Sequence, residues 1–153
     1  MKKSLLGLTA AGLLASTASA GFGADLGAFV SARKGYMLMM AMNAQTLGAM
    51  AKGETAYDPA VAKVAAGNIT ALAGMDTSFF WVAGTDGKSL KQSNALPGAI
   101  GDAAGRSEKI AALRLAADKL AAAAGDGLPA LSAAMAPLGG ACGDCHKAYR
   151  MAN

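Results

Sequence analysis

The sequence predicts an all-α protein folded as an antiparallel up-down-up-down four-helix bundle. Three observations carry this. Aromatic residues make up only 5% of the 153 positions, prolines number four, alanine and glycine recur throughout and β-branched residues are sparse, a composition that favours helix. Apolar residues return at steps of three and four in four separate stretches, the period of a helix with one buried face. With one exception the connections between those stretches are short, which suits helices lying side by side and antiparallel. A chain of this length supports one core and is too short for two.

Residues 1–20, MKKSLLGLTAAGLLASTASA, hold Lys2 and Lys3, an apolar run from Leu5 to Leu14, and small residues ending Ala18-Ser19-Ala20. This is the pattern of a secretory signal peptide cleaved before Gly21, leaving a domain over 21–153 exported to the periplasm. The apolar run is too short to span a bilayer and no stop-transfer pattern follows, so the mature protein is expected to be soluble. Without the leader, twelve basic residues stand against ten acidic ones. That near balance, with no basic stripe, argues against nucleic acid as a partner.

The first helix is expected over about Ala24 to Ala51, with Leu26, Val30, Arg33, Met37, Met40, Ala44, Leu47 and Ala51 on its inward stripe. The second starts at Asp58-Pro59, an N-cap followed by proline in the first turn, and turns Val61, Val64, Ala65, Ile69, Leu72 and Met75 inward. A third begins near Asp102, presents Ile110, Leu113, Ala117, Leu120 and Ala124, and stops at Gly125-Asp126-Gly127. The fourth runs from Pro129 toward Arg150, with Pro137 and Gly139-Gly140 predicting a kink or short break. Between the second and third helices lies the exception, about 25 residues from Thr77 to Gly101, whose Phe79, Phe80 and Trp81 are expected to pack over one end of the core.

The chain's only two cysteines and only histidine fall within Cys142-Gly143-Asp144-Cys145-His146. This is the attachment signature of c-type haem. On a helix the two sulfurs share a face and can each form a thioether with a haem vinyl, while His146 follows as an axial iron ligand. A thioredoxin-like redox pair expects a βαβ context, a zinc site needs about four ligands, and a disulfide across so few residues gains little loop entropy. One covalent haem c is the expected cofactor. The second axial position must be filled from upstream by a methionine or a lysine, or remain empty, since no second histidine exists. The first helix offers Met37, Met39, Met40, Met42 and Met50, of which Met37 and Met40 lie on the core stripe. Methionines are also ordinary core fillers, and Met39 and Met42, facing elsewhere with Gly35, suggest a homodimer contact.

The motif near the C-terminus on the last of four helices, followed by Tyr149-Arg150, resembles the class II c-type cytochromes, the cytochrome c-prime family. The likeness extends through ARKGYM at 32–37, LGAMAKGETAYDP at 47–59, the ALPGAI element and LGGACGDCHKAYR at 138–150. The resemblance implies that Met37, four residues after Arg33, lies over the distal face of the haem. LGAMAKGE and the proline before the haem motif are more similar to the family's low-spin branch, in which that methionine ligates iron. Arg33 and Arg150 resemble the arginines that border the haem propionates. After ALPGAI the family often carries tryptophan where this chain has Gly101, which bears on packing at the start of the third long helix.

The leading expectation is therefore electron transfer with redox partner proteins, through a haem held by His146 and Met37. The alternative is a high-spin haem protein that binds nitric oxide or carbon monoxide as a sensor or scavenger. Peroxidase chemistry ranks third because no distal histidine exists to act as acid and base.

Overall fold

The computed structural model describes residues 25–152; the expected leader and its cleavage point lie outside them. The described residues form five helices: α1 (Leu26–Ala51), α2 (Pro59–Gly74), the short α3 (Pro97–Gly101), α4 (Ala103–Ala123) and α5 (Leu128–Tyr149). α1, α2, α4 and α5 form the four-helix bundle, and in cyclic order each packs against the next. No described helix is long and apolar enough to cross a membrane.

Helix starts follow local chemistry. The Asp25 carboxylate accepts from the Gly27 amide at 2.9 Å, Asp58 from Ala60 at 2.8 Å and Asp102 from Gly105 at 2.8 Å. Each satisfies an amide that lacks a partner within its helix. α5 begins after Gly127, whose φ of 105° lies where a side chain would be strained. At that end of the bundle Tyr57 joins two connections, donating its hydroxyl to Ala124 O at 2.9 Å and accepting from Gly127 N at 3.0 Å.

The solid core is built around α2. Leu47, Ile69, Leu120 and Leu131 are fully buried among Ala62, Ala65, Ala66, Ala73, Ala116 and Ala117. The small alanines let the helix axes approach closely, and large side chains fill the layers between them. This shifts the expected stripe on α2. Ala65 and Ile69 face inward as expected, but Val61, Val64 and Met75 are 43%, 64% and 38% exposed, and Ala62, Ala66 and Ala73 are buried in their place.

α5 also differs from expectation. It is one uninterrupted helix through Pro137 and Gly139-Gly140. Pro137 and both glycines lie on its exposed side, while Leu131 and Leu138 anchor the opposite face in the core. Tertiary packing thus outweighs the local helix-breaking tendency.

The segment between α2 and α4 carries structure of its own: a 3-10 turn at Ser78–Phe80, successive turns, and α3. It is stitched to the end of α5, with Leu96 N donating to Tyr149 O at 2.9 Å and Met151 N to Asn94 O at 2.8 Å. Phe80 and Trp81 face inward as expected, whereas Phe79 is exposed. Gly101 closes α3 in open space, and the start of α4 is fixed by Asp102.

Candidate functional site

The bundle is not solid throughout. A cavity of about 1200 Å³ lies against α1, α4 and α5, roofed by the 3-10 turn and by residues 93–95. It exceeds the usual range for small-ligand pockets, about 300–1,000 Å³, and has room for a macrocycle. Its existence explains a gap in the α1 stripe: Val30 and Leu47 are buried, but Met37, Met40 and Ala44 between them are only partly covered, because they line the cavity.

Cys142, Cys145 and His146 all reach this cavity from α5. Spacings of three and four residues place them on one helical face. Both thiols are free and half-buried. Burial pushes each thiol above its ordinary pKa; for Cys145 the neighbouring Cys142 adds to the rise. Burial, followed by the charge of Arg150, holds His146 below the usual imidazole range. Its neutral form, the one with a lone pair to give, is therefore favoured.

Across the cavity stand Met37 and Met40 from α1. Met37 is 37% exposed. Met39 and Met42 face away and line a separate surface groove with Met75, Asn43 and Asn68.

The arginines have distinct surroundings. Arg33, only 7% exposed, is gripped by the segment above the cavity: Nη1 donates to Phe80 O at 2.9 Å and Thr85 Oγ1 at 2.7 Å, and Nη2 to Thr85 O at 2.5 Å and Ser93 Oγ at 3.4 Å. Desolvation lowers its pKa, and the nearby charge of Arg106 lowers it further. Arg150 lies exposed at the cavity edge, its backbone bridged to Ala95.

Sequence reasoning did not single out Arg106, whose guanidinium lies 4.9 Å from the centre of the Trp81 ring, with that of Arg33 at 4.8 Å. Arg106 also donates through Nη1 to Ala99 O and, at 3.2 Å, to Ile100 O. The signal was present, since Arg106 is four residues before Ile110 and extends that helix's inward stripe by one turn. Tyr149, noted only as part of the motif, lines the cavity and donates to Asp102 Oδ2 at 2.6 Å. That bond pushes the Tyr149 pKa up to about 12 and lowers that of Asp102.

A large cavity with two thiols and an imidazole on one wall, apolar residues opposite and arginines at the edge suits a tetrapyrrole with carboxylate tails. The family description "Cytochrome C'" matches residues 28–150. The chain belongs to the cytochrome c' family. A cytochrome c' of Cereibacter sphaeroides is 38% identical over 139 residues, 91% of this chain and 93% of that protein. Cytochrome c-554 of the same organism is 40% identical over 121 residues, 79% of each chain. The solved cytochrome c' from Rhodobacter Spheriodes superposes with a TM-score of 0.82 at 38% identity, covering 85% of this chain and all of that one. A nitric oxide complex of a cytochrome c prime variant from Alcaligenes xylosoxidans superposes at 0.73 with 30% identity, covering 85% of this chain and 98% of that one. A carbon monoxide-bound variant from the same organism gives 0.72 with 29% identity, covering 84% and 98%. Cytochromes c' carry a single covalently bound haem c, and haem c is the cofactor of this family member.

Proposed function

We propose that this cytochrome c' binds nitric oxide or carbon monoxide at its haem, with Cys142 and Cys145 as the attachment residues and His146 as the axial ligand. The carrying observation is the wall facing His146: Met37, Met40, Ala41 and Ala44 bring apolar groups, with no histidine or carboxylate among them. Such a wall suits a small uncharged molecule better than a charged one. The gas complexes of related cytochromes c prime support the same reading. Bound haem supplies an iron whose ferrous state takes a diatomic ligand. The chain's residues do the rest. Cys142 and Cys145 would fix the macrocycle to α5, neutral His146 would offer its lone pair, Met37 would shield the opposite side, and Arg106 and Arg150 would offer charge to the propionates. Arg33 was assigned that last role by resemblance, yet all four of its terminal N–H groups are already engaged; its Nε–H remains for a propionate.

Electron transfer through a low-spin haem held by His146 and Met37 is the second reading, favoured by the placement of the Met37 thioether on the cavity wall. An optical spectrum of the ferrous protein with and without carbon monoxide separates the two. The gas-binding reading expects a high-spin spectrum that shifts readily with carbon monoxide, and Met37→Ala then accelerates binding by roughly tenfold or more through loss of the shield. A low-spin spectrum indifferent to carbon monoxide, turned high-spin by Met37→Ala but not by Met39→Ala, favours electron transfer. Export to the periplasm with cleavage before Gly21 belongs to the same proposal, as does a homodimer through the outer face of α1.

A further inference from the structure

Methionine sulfur is concentrated on one outer face of the bundle. Met39 and Met42 of α1 are 48% and 60% exposed, and Met75, the residue that ends α2, is also exposed. All three line one groove between the two helices, and Met75 stands where that groove borders the haem cavity. A spacing of three residues puts Met39 and Met42 on neighbouring turns of one helix face, and Met75 comes to them from the other helix. Methionine usually fills apolar space, whereas these three leave much of their surface to water.

The groove is held in register. Tyr36 donates its hydroxyl to Leu72 O at 3.2 Å, and Asn68 Nδ2 donates to Asn43 Oδ1 at 3.0 Å. These two bonds tie α1 to α2 on either side of Met39, which fixes that residue opposite the end of α2. The donors gathered there are uncharged: thioether, amide and hydroxyl, with no carboxylate, imidazole, thiol or cation in the lining. Among the described residues no group of three or more His, Cys, Asp or Glu is placed to hold a metal ion. Calcium and magnesium need several oxygens, carboxylates prominent among them, and zinc takes thiolate, imidazole or carboxylate. Thioethers instead select soft monovalent ions, and they have no proton to lose before they bind.

We propose that Met39, Met42 and Met75 form a surface site for one soft monovalent metal ion of the copper(I) class. The site is distinct from the haem iron and goes beyond the gas-binding reading. It shares the outer face of α1 with the proposed homodimer, yet the two make different demands on that face. A dimer contact needs apolar area, which leucine supplies as well as methionine does. A soft metal needs sulfur.

The test uses the intact ferric holoprotein and silver(I), a redox-stable stand-in for copper(I), added as silver nitrate in chloride-free buffer and followed by titration calorimetry. With Cys142 and Cys145 bonded to haem, as proposed, no free thiol competes. One silver ion per chain is expected to bind. Met39→Leu with Met42→Leu, which nearly conserves apolar volume, should weaken binding by about a hundredfold or more, and Met42→Leu or Met75→Leu alone by about tenfold. Met151→Leu, at an exposed methionine outside the groove, should change it by less than about twofold. An unaltered haem spectrum shows that each variant is folded, and the single variants keep the test decisive if the double one is not. Sedimentation of the double variant is expected to match that of the unmodified protein, since leucine keeps the apolar area. Absence of stoichiometric silver binding, binding that survives the double substitution, or displacement of silver by an equal concentration of zinc(II) would overturn the proposal. So would silver binding and self-association lost together, which would assign the effect to a disrupted dimer. Carbon monoxide binding by the reduced protein, read optically, reports on the gas-binding reading separately, so either reading can fail while the other holds.

Discussion

A side chain at position 105 would meet the Asp102 carboxylate and the Tyr149 hydroxyl, so glycine lets these two groups approach each other over the helix start without shifting. That triad is sensitive to pH at both ends of the scale. The Asp102 pKa is lowered, chiefly by the bond from Tyr149, so its contribution is complete above the ordinary carboxylate range and is lost as pH falls through the lowered value. The Tyr149 pKa is raised to about 12, so its contribution is complete below the ordinary phenol pKa of about 10 and is lost as pH climbs toward 12. Tyr149→Phe should abolish that alkaline loss in the holoprotein, seen as a flatter melting temperature between about pH 10 and 12. Arg33→Ala is expected to cost about 1.5–3 kcal/mol, the range for hydrogen bonds to a charged group, and a denaturant titration would measure it. That Cys142, Cys145 and His146 share one cavity wall follows from five consecutive residues on one helix, which is local information. The surroundings of Arg33 are not local, because its partners Thr85 and Ser93 are over fifty positions away in sequence.

At the scale of elements, the helices were legible where sequence pattern and packing agree. Asp58-Pro59 and Asp102 mark real helix starts because a cap is local chemistry. On α2 the pattern places Ala65 and Ile69 inward, as they are, but favours the larger Val61 and Val64 over Ala62 and Ala66, which close helix approach selects. The continuity of α5 was hidden for a similar reason, since Pro137 and two glycines are local signals that packing overrides. The outer face of α1 exposes Leu38, Met39 and Met42. The hydrogen bond between Asn43 and Asn68, at 3.0 Å, ties that face to α2. If this face forms the proposed homodimer, Met42→Asp should weaken self-association by about tenfold or more, because a charge would be buried without a partner. Sedimentation of the two holoproteins over a concentration series measures this; a protein that is monomeric throughout would remove the dimer.

For the molecule as a whole, the cavity of about 1200 Å³ divides the bundle into a part that packs by itself and a part that does not. Leu47, Ile69, Leu120 and Leu131 hold one part together with alanine-rich helices. The other relies on a guest to provide contacts for Met37, Met40, Phe80 and Trp81. The apoprotein is accordingly expected to lose helix and cooperativity, and circular dichroism of the holoprotein against a Cys142→Ala, Cys145→Ala variant lacking haem would show it. A variant as helical and as cooperative as the holoprotein would mean that α1 and α5 need no filler. The bundle architecture was legible from periodicity, but the cavity was not. Half-covered stripe positions look the same in sequence as fully covered ones.

The Arg33 grip also has a kinetic meaning. Four hydrogen bonds join the N-terminal third of α1 to residues 80, 85 and 93, so this part of the roof cannot lift while the guanidinium stays in place. Amide hydrogen exchange should therefore show the backbone around Thr85 and Ser93 protected as one cooperative unit with α1, rather than exchanging as an independent surface loop. Release of Arg33 becomes the step that sets how often this unit opens, and Arg33→Ala should turn infrequent concerted opening into frequent local opening.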